Sequence, residues 1–246
     1  MKQFRADLHI HTVLSPCGDL EMSPVNIVSE AARKGLDIIG ITDHNSTRHC
    51  SLITRLAAAK GIFVMQGAEV TTKEEVHCLA FFENTDALNR FQGFLDENLP
   101  EIYNDPAKFG YQVQVNEQDE VIYEEKKLLI NAISKSIHEL ETFIHGLNGL
   151  FIPAHINKAK NSIYSQLGFL PVNLNADALE ISRVAASVEF FTGHPEIKSY
   201  SLISSSDAHY QNDIGSAVTN FYIETPTFEE IRMALRGNKG RKIIAE

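Results

Sequence analysis

Long apolar runs are missing from this 246-residue chain, and no stretch approaches the length of a membrane span. No apolar signal core stands near the start either: the chain opens MKQFRADLHIHT, and the expectation is a soluble cytoplasmic protein without a membrane partner. Cysteine is scarce. Cys17, Cys50 and Cys78 make an odd set without the spacing of a disulfide framework, which fits reduced thiols. Basic residues are outnumbered, 22 against 32 acidic, for a formal charge of -10. That balance disfavours a general nucleic-acid or acidic-membrane surface, although bound divalent cations would reverse the sign locally. Tryptophan is absent, which excludes nothing. Repeats, low-complexity tracts and Pro/Gly/Ser-rich linkers are also lacking, so a single domain over 1–246 is expected.

What is present is an alternation of short apolar runs and helical patterns. The candidate strands are Phe4–His11, Asp37–Thr42, Ile62–Ala68, Val76–Phe82, Leu150–Ala154, Ala178–Ser182 and Ser201–Ser205. Between several of them lie helical stretches: Pro24–Lys34, Cys50–Lys60, Asp86–Asn98, Lys126–Asn148 and Val184–Phe191. Ser23-Pro24 reads as an N-cap followed by a proline at the first helical position, and Gly35 and Gly61 read as left-handed C-caps. Alternating β and α elements imply an α/β fold with a parallel sheet or barrel, its ligands at the C-terminal strand ends. The stretch 110–124 breaks the rhythm: QVQV and EVIY flank a polar turn and predict a small β-hairpin insertion.

The histidines carry the chemistry. Six of ten fall in or directly after predicted strands: His9, His11, His44, His77, His155 and His209. Residues two apart in a strand share a face, so Asp7, His9 and His11 project together. Asp207 and His209 repeat that spacing in SSSDAH, His44 follows Asp43, and Glu69 follows IFVMQGA. Imidazole with carboxylate suits Zn, Mn or Fe. Lys158, Lys160 and Arg183 follow predicted strand ends on the same rim. His49, a turn beyond His44, fits either a supporting role beside the site or the surface. His138, His145 and Glu141 read as a solvated helix stripe, His194 as structural or exposed, and Cys50 and Cys78 as core.

DLHIHT, TDH, the glutamate of GAEV with His77 behind it, PAH and SDAH together resemble the motif series of the polymerase and histidinol phosphatase (PHP) family. The resemblance runs from Asp7 to His209. It implies a distorted (β/α)7 barrel with two to three divalent metal ions (Mn, Zn or Fe) at the C-terminal rim. By motif matching, His9, His11, Glu69 and Asp207 hold the first ion, and Glu69 bridges to a second completed by His77 and His155. His44 and His209 hold a third with a residue of the first loop. SPCGDLEMSP is longer there than the family form. Asp19 keeps the place before Ser23-Pro24 and is the assigned ligand, with the Cys17 thiolate as competitor. An amidohydrolase-type barrel also opens with HxH but matches the late Asp-x-His pair less well.

The implied reaction is hydrolysis of a phosphate ester by a metal-bridging hydroxide, with Lys158 and Arg183 on the phosphate. The expected substrate is a small soluble phosphomonoester or nucleotide. A polynucleotide phosphodiesterase or nuclease and a non-catalytic metal-stabilised interaction domain are the rivals.

Overall fold

Strand β1 (Lys2–Ile10) runs from solvent into the interior: its first two residues are exposed and its last five fully buried. A computed structural model of the protein describes residues 1–182 and 188–246. Helix α1 (Pro24–Arg33) follows, with Ser23 accepting from the Asn26 N–H as its N-cap. Strand β2 (Ile38–Ile41), helix α2 (Cys50–Ala58) and strand β3 (Phe63–Thr71) continue the alternation. Gly35 (φ 66°) and Gly61 (φ 71°) end the two helices in the left-handed region, as the sequence pattern predicts. β1, β2 and β3 pair in parallel.

The parallel pattern then breaks. β4 (His77–Phe82) turns back antiparallel to β3, with Thr71 opposite His77 and Glu69 opposite Leu79. Helix α3 (Thr85–Asn98), the short α4 (Pro106–Phe109) and the hairpin β5 (Val113–Val115) and β6 (Val121–Glu124) lead into α5 (Ile137–Gly146). β7 (Leu150–Pro153) pairs antiparallel with β4. α6 (Ile163–Leu167), β8 (Leu179–Glu180), α7 (Val188–Gly193) and β9 (Leu202–Ile203) follow, β8 and β9 pairing in parallel. The chain closes with β10 (Thr219–Ile223), α8 (Phe228–Leu235) and β11 (Lys242–Ala245).

One seven-stranded sheet takes the order β11-β10-β1-β2-β3-β4-β7. The curl continues through backbone bonds: Ile156 N–H to Glu180 C=O joins β7's end to β8, and Ala208 N–H to His9 C=O returns the segment after β9 to β1. The result is an α/β barrel of distorted form, as expected, but its sheet is mixed rather than parallel. Successive strand residues alternate between two apolar layers. Ile38, Met65, Leu79, Ile152 and Phe221 pack with Phe228 and Ile231 of α8. Ile39, Val64, Ala80 and Phe151 pack with Ile27, Ile53, Phe91 and Leu140 of the outer helices.

One further expectation needs correction. The predicted helix Lys126–Asn148 forms only from Ile137, where Ser136 and Glu139 make a reciprocal capping box. Leu129 and Ile133 are buried at helical spacing, yet their segment is irregular because other elements take its N–H groups: Leu128 donates to Ile102, Ile133 to Thr71 and Ser134 to Asn98. Tertiary partners outweigh local periodicity there. The predicted helix Val184–Phe191 lies partly outside the described residues, and α7 is its described part. The hairpin within 110–124 is present, and β10, α8 and β11 lie beyond the last predicted element. No described helix is long and apolar enough to cross a membrane.

Candidate metal centre

The strand ends bring imidazoles and carboxylates to one rim. His9 and His11 leave the end of β1, His44 follows β2, Glu69 lies near the end of β3, and His77 begins β4. His155 follows β7, and Asp207 and His209 lie beyond β9. His77 reaches this rim only because β4 runs antiparallel, so the start of β4 faces the end of β3. Among the described residues three overlapping groups of ligand atoms result, each within 4.8 Å: His9, His11, Glu69 and Asp207; His44, Glu69 and His77; His11, His44 and His209. His155 joins through its Nε2, 3.1 Å from Glu69 Oε1. The backbone takes left-handed φ at Asn45, His155 and Asp207, a strain that folds keep where surrounding contacts enforce it.

The proton positions on the first pair follow from their partners. His9 Nδ1 lies 3.0 Å from the Glu180 carboxylate, so that nitrogen carries the hydrogen. Ser15 Oγ donates to Asp43 at 2.7 Å, so His11 Nδ1 must donate to Ser15 Oγ at 3.0 Å. Both Nε2 lone pairs therefore turn inward, 3.2 Å apart, with Asp207 Oδ1 at 3.3 Å and 3.4 Å from them. Two lone pairs facing each other beside carboxylates need a cation between them, a proton or a metal ion. Buried His44 Nδ1, 3.2 Å from Glu69 Oε2, has no hydrogen-bond partner, which a metal ligand's donor atom does not need. The residues present thus fit divalent ions.

Electrostatics point the same way. Burial pulls the His9 imidazolium down, but Glu180, Asp207 and Glu69 outweigh it and hold the group well above its ordinary range. His11 is likewise raised, burial being overcome by Asp207 and Glu69. Burial and the neighbouring His11 push His44 well below the usual histidine range and His209 down to about 4. Glu69 and Asp207 stay ionised against burial because the imidazoles surround them. A cluster that holds protons on two histidines to balance its carboxylates has a place for more compact positive charge.

The remaining predicted residues divide. Lys158 ion-pairs with Asp207 and lines a cavity of about 280 Å³ together with Cys17, Ile130, Lys160 and the cluster. Asp19 is not brought into the ligand groups: its Oδ1 accepts the Glu21 N–H at 2.9 Å. Cys17 lines the cavity, where burial and the nearby Glu69 push its thiol up to about 12. Arg183 lies outside the described residues. His138 and His145 sit on α5, paired with Glu141 and Asp177, and Cys50 and Cys78 are buried free thiols.

Sequence reasoning overlooked Glu180. It is 1% exposed and holds both His9 Nδ1 and the His155 backbone N–H. A lone glutamate inside the apolar run ALEIS was the available signal, since a buried carboxylate needs partners. Asp7 is buried too, accepting Ser206 N–H and Oγ–H and the Gly215 N–H, which anchors the turn carrying Asp207.

Comparisons with known proteins bear on the family and the fold. The PHP domain model matches residues 7–171, and a PHP-associated model matches residues 198–239. YqxK of Bacillus subtilis, an uncharacterized protein, is 25% identical over all of this chain and 65% of its own length. Among solved structures, the lesion-specific endonuclease PfuEndoQ of Pyrococcus furiosus superposes with a TM-score of 0.70 at 22% identity, over 98% of this chain and 58% of that one. A putative metal-dependent phosphoesterase of Bifidobacterium adolescentis gives 0.59 at 18% identity, covering 95% of this chain and 96% of that one. The chain thus spans about two thirds or less of the length of YqxK and PfuEndoQ. With the domain model covering more than half of it, the chain belongs to the PHP domain family.

Proposed function

We propose that this chain hydrolyses a small soluble phosphate ester, a phosphomonoester or nucleotide, at two to three divalent ions on the barrel rim. The carrying observation is the pair of inward Nε2 lone pairs of His9 and His11, 3.2 Å apart, with Glu180 and Ser15 occupied by their Nδ1 hydrogens. His9, His11, Glu69 and Asp207 would hold one ion, and Glu69, His77 and His155 a second. His44 and His209 would hold a third, completed from the first loop by Asp19 or Cys17. Such ions, Mn, Zn or Fe by ligand type, supply water activation near neutral pH and polarisation of the phosphoryl oxygens.

The chain's own groups do the rest. Glu69 faces both halves of the histidine cluster and keeps their charges in balance. Lys158 stands at the cavity wall, where it can leave Asp207 for a phosphate oxygen once another cation neutralises that carboxylate. Arg183 is proposed as the second phosphate contact from its place after β8. The cavity's modest 280 Å³ and the chain's charge of -10 favour a compact anionic substrate steered by local cations rather than a long polyanion. The strands that close the barrel from the C-terminal side, β9 and β10, support reading 1–246 as one unit. Buried free thiols at Cys50 and Cys78 support a cytoplasmic setting.

A second reading is favoured by one finding. PfuEndoQ is a lesion-specific endonuclease, and a related structure holds a 27-mer duplex with an abasic lesion at its active site. The likeness of fold over 98% of this chain supports a phosphodiester in DNA as the alternative substrate. A panel of small phosphomonoesters, nucleotides and a lesion-bearing duplex, each assayed with Mn²⁺ and with chelator, separates the two. Metal-dependent turnover of the duplex alone would overturn the small-substrate reading, and no turnover of any of them would favour the non-catalytic rival.

A further inference from the structure

We propose that His49 is a positioning residue that latches the β5–β6 hairpin to the imidazole of His11. His49 is 2% exposed and lies away from the ligand groups. Its two ring nitrogens face opposite ways. The Val115 N–H, on the hairpin, donates to His49 Nε2 at 3.1 Å. His49 Nδ1 lies 2.7 Å from Thr12 Oγ1, whose own hydrogen goes to Asp43 Oδ2 at 2.8 Å.

Every proton in this chain of contacts is therefore assigned. Nε2 accepts, so Nδ1 carries the hydrogen and donates to Thr12 Oγ1. Thr12 donates to Asp43, and Asp43 Oδ1 accepts from Ser15 Oγ at 2.7 Å. Ser15 in turn accepts the His11 Nδ1 hydrogen, which leaves His11 Nε2 with its lone pair inward. The hairpin's backbone thus sits at one end of an unbroken hydrogen-bond path and His11 at the other. Burial holds the His49 imidazolium below its ordinary range, which keeps the accepting nitrogen free.

The base of the hairpin is held through Gln112, which bonds Glu125, Lys127 and Leu129, and its first strand meets the first loop, the Val113 N–H donating to Val13 C=O at 3.4 Å. β6 is exposed along its whole length. β5 packs Val113 and Val115 against Val13 in a separate small apolar cluster. Val13 itself lies between Thr12 and Ser15, so hairpin, first loop and His11 share one anchorage. Any ion that orders His11 should order the loop and therefore the hairpin, and the coupling must run equally in reverse.

The inference rests on the proposed metal role of His11, and two measurements made without substrate test it. One is Mn²⁺ affinity by titration; the other is hydrogen exchange of the Val115 amide with and without Mn²⁺. In wild type, Mn²⁺ should slow Val115 exchange by roughly fivefold or more. His49→Asn keeps a donor near the Nδ1 position and removes the acceptor. It should free the Val115 amide and, by the same reciprocity, weaken Mn²⁺ binding by no more than roughly the fivefold coupling. His49→Gln keeps an acceptor near Nε2 and removes the donor. It should protect Val115 yet weaken Mn²⁺ binding by about tenfold or more, and protection should no longer respond to the metal. Tight Mn²⁺ binding in wild type with unchanged Val115 exchange overturns the latch alone, even if neither variant folds. Wild type that binds no Mn²⁺ removes both the latch and the metal centre beneath it.

Discussion

Glu69 Oε1 lies 2.9 Å from His77 Nδ1, while Oε2 of the same carboxylate stands 3.4 Å from His11 Nε2. One side chain thus joins imidazoles from the first strand and the fourth. Purified protein is expected to carry two to three divalent ions per chain, and Glu69→Ala should be the most damaging single change, lowering activity by more than about 100-fold. Elemental analysis decides: at most one ion in wild type ends the multinuclear model.

Lys158 should matter to substrate more than to metal. Lys158→Ala is expected to keep its ions and lose roughly two to three powers of ten in kcat/KM. Arg183→Ala, measured alongside, should behave the same way. If both variants retain near-wild-type kcat/KM with full metal, the phosphate is gripped elsewhere, and Lys158 is only an ion-pair partner of Asp207.

Metal binding should release protons in a predictable direction. The carboxylates around His9 and His11 hold these imidazoles protonated above the ordinary histidine range of about 6.5. An ion must displace those protons, so apparent affinity rises with pH until both groups are neutral. His44 and His209, the latter pushed down to about 4, are already neutral near pH 7 and release nothing there. The acid limb of activity should move to lower pH with excess metal. Calorimetry in buffers of different ionisation enthalpy measures the release directly; zero proton release at pH 7 contradicts the assignment.

Glu180 should act through His9. Glu180→Gln keeps the shape but loses the charge beside Nδ1, and the affinity for metal should fall on the order of 10–100-fold. Glu180→Asp, which restores the charge on a shorter arm, should recover part of it. Unchanged Mn²⁺ titrations for Glu180→Gln would reduce the residue to filling space.

Several features were legible before any coordinates. The period-two spacing of His9 with His11 and of Asp207 with His209, the Ser23-Pro24 start of α1, the capping glycines and the hairpin are local matters, set by backbone geometry over a few residues. The helix predicted from Lys126 failed because Leu129 and Ile133 keep helical spacing while the N–H groups of Leu128, Ile133 and Ser134 go to Ile102, Thr71 and Asn98, partners that periodicity does not reveal.

Sequence by itself determined which residue types stand at the strand ends, and so the family and the kind of ion they suit. Motif matching already grouped His77 with Glu69, and tertiary structure decided how they come to share the rim, through β4 running antiparallel. It also decided that Glu180, from a distant strand, turns His9, and that His49 reaches the hairpin. Strand direction and the meeting of side chains 171 residues apart arise from long-range packing, where burial must leave every carboxylate and imidazole a partner, and no window of sequence contains that requirement.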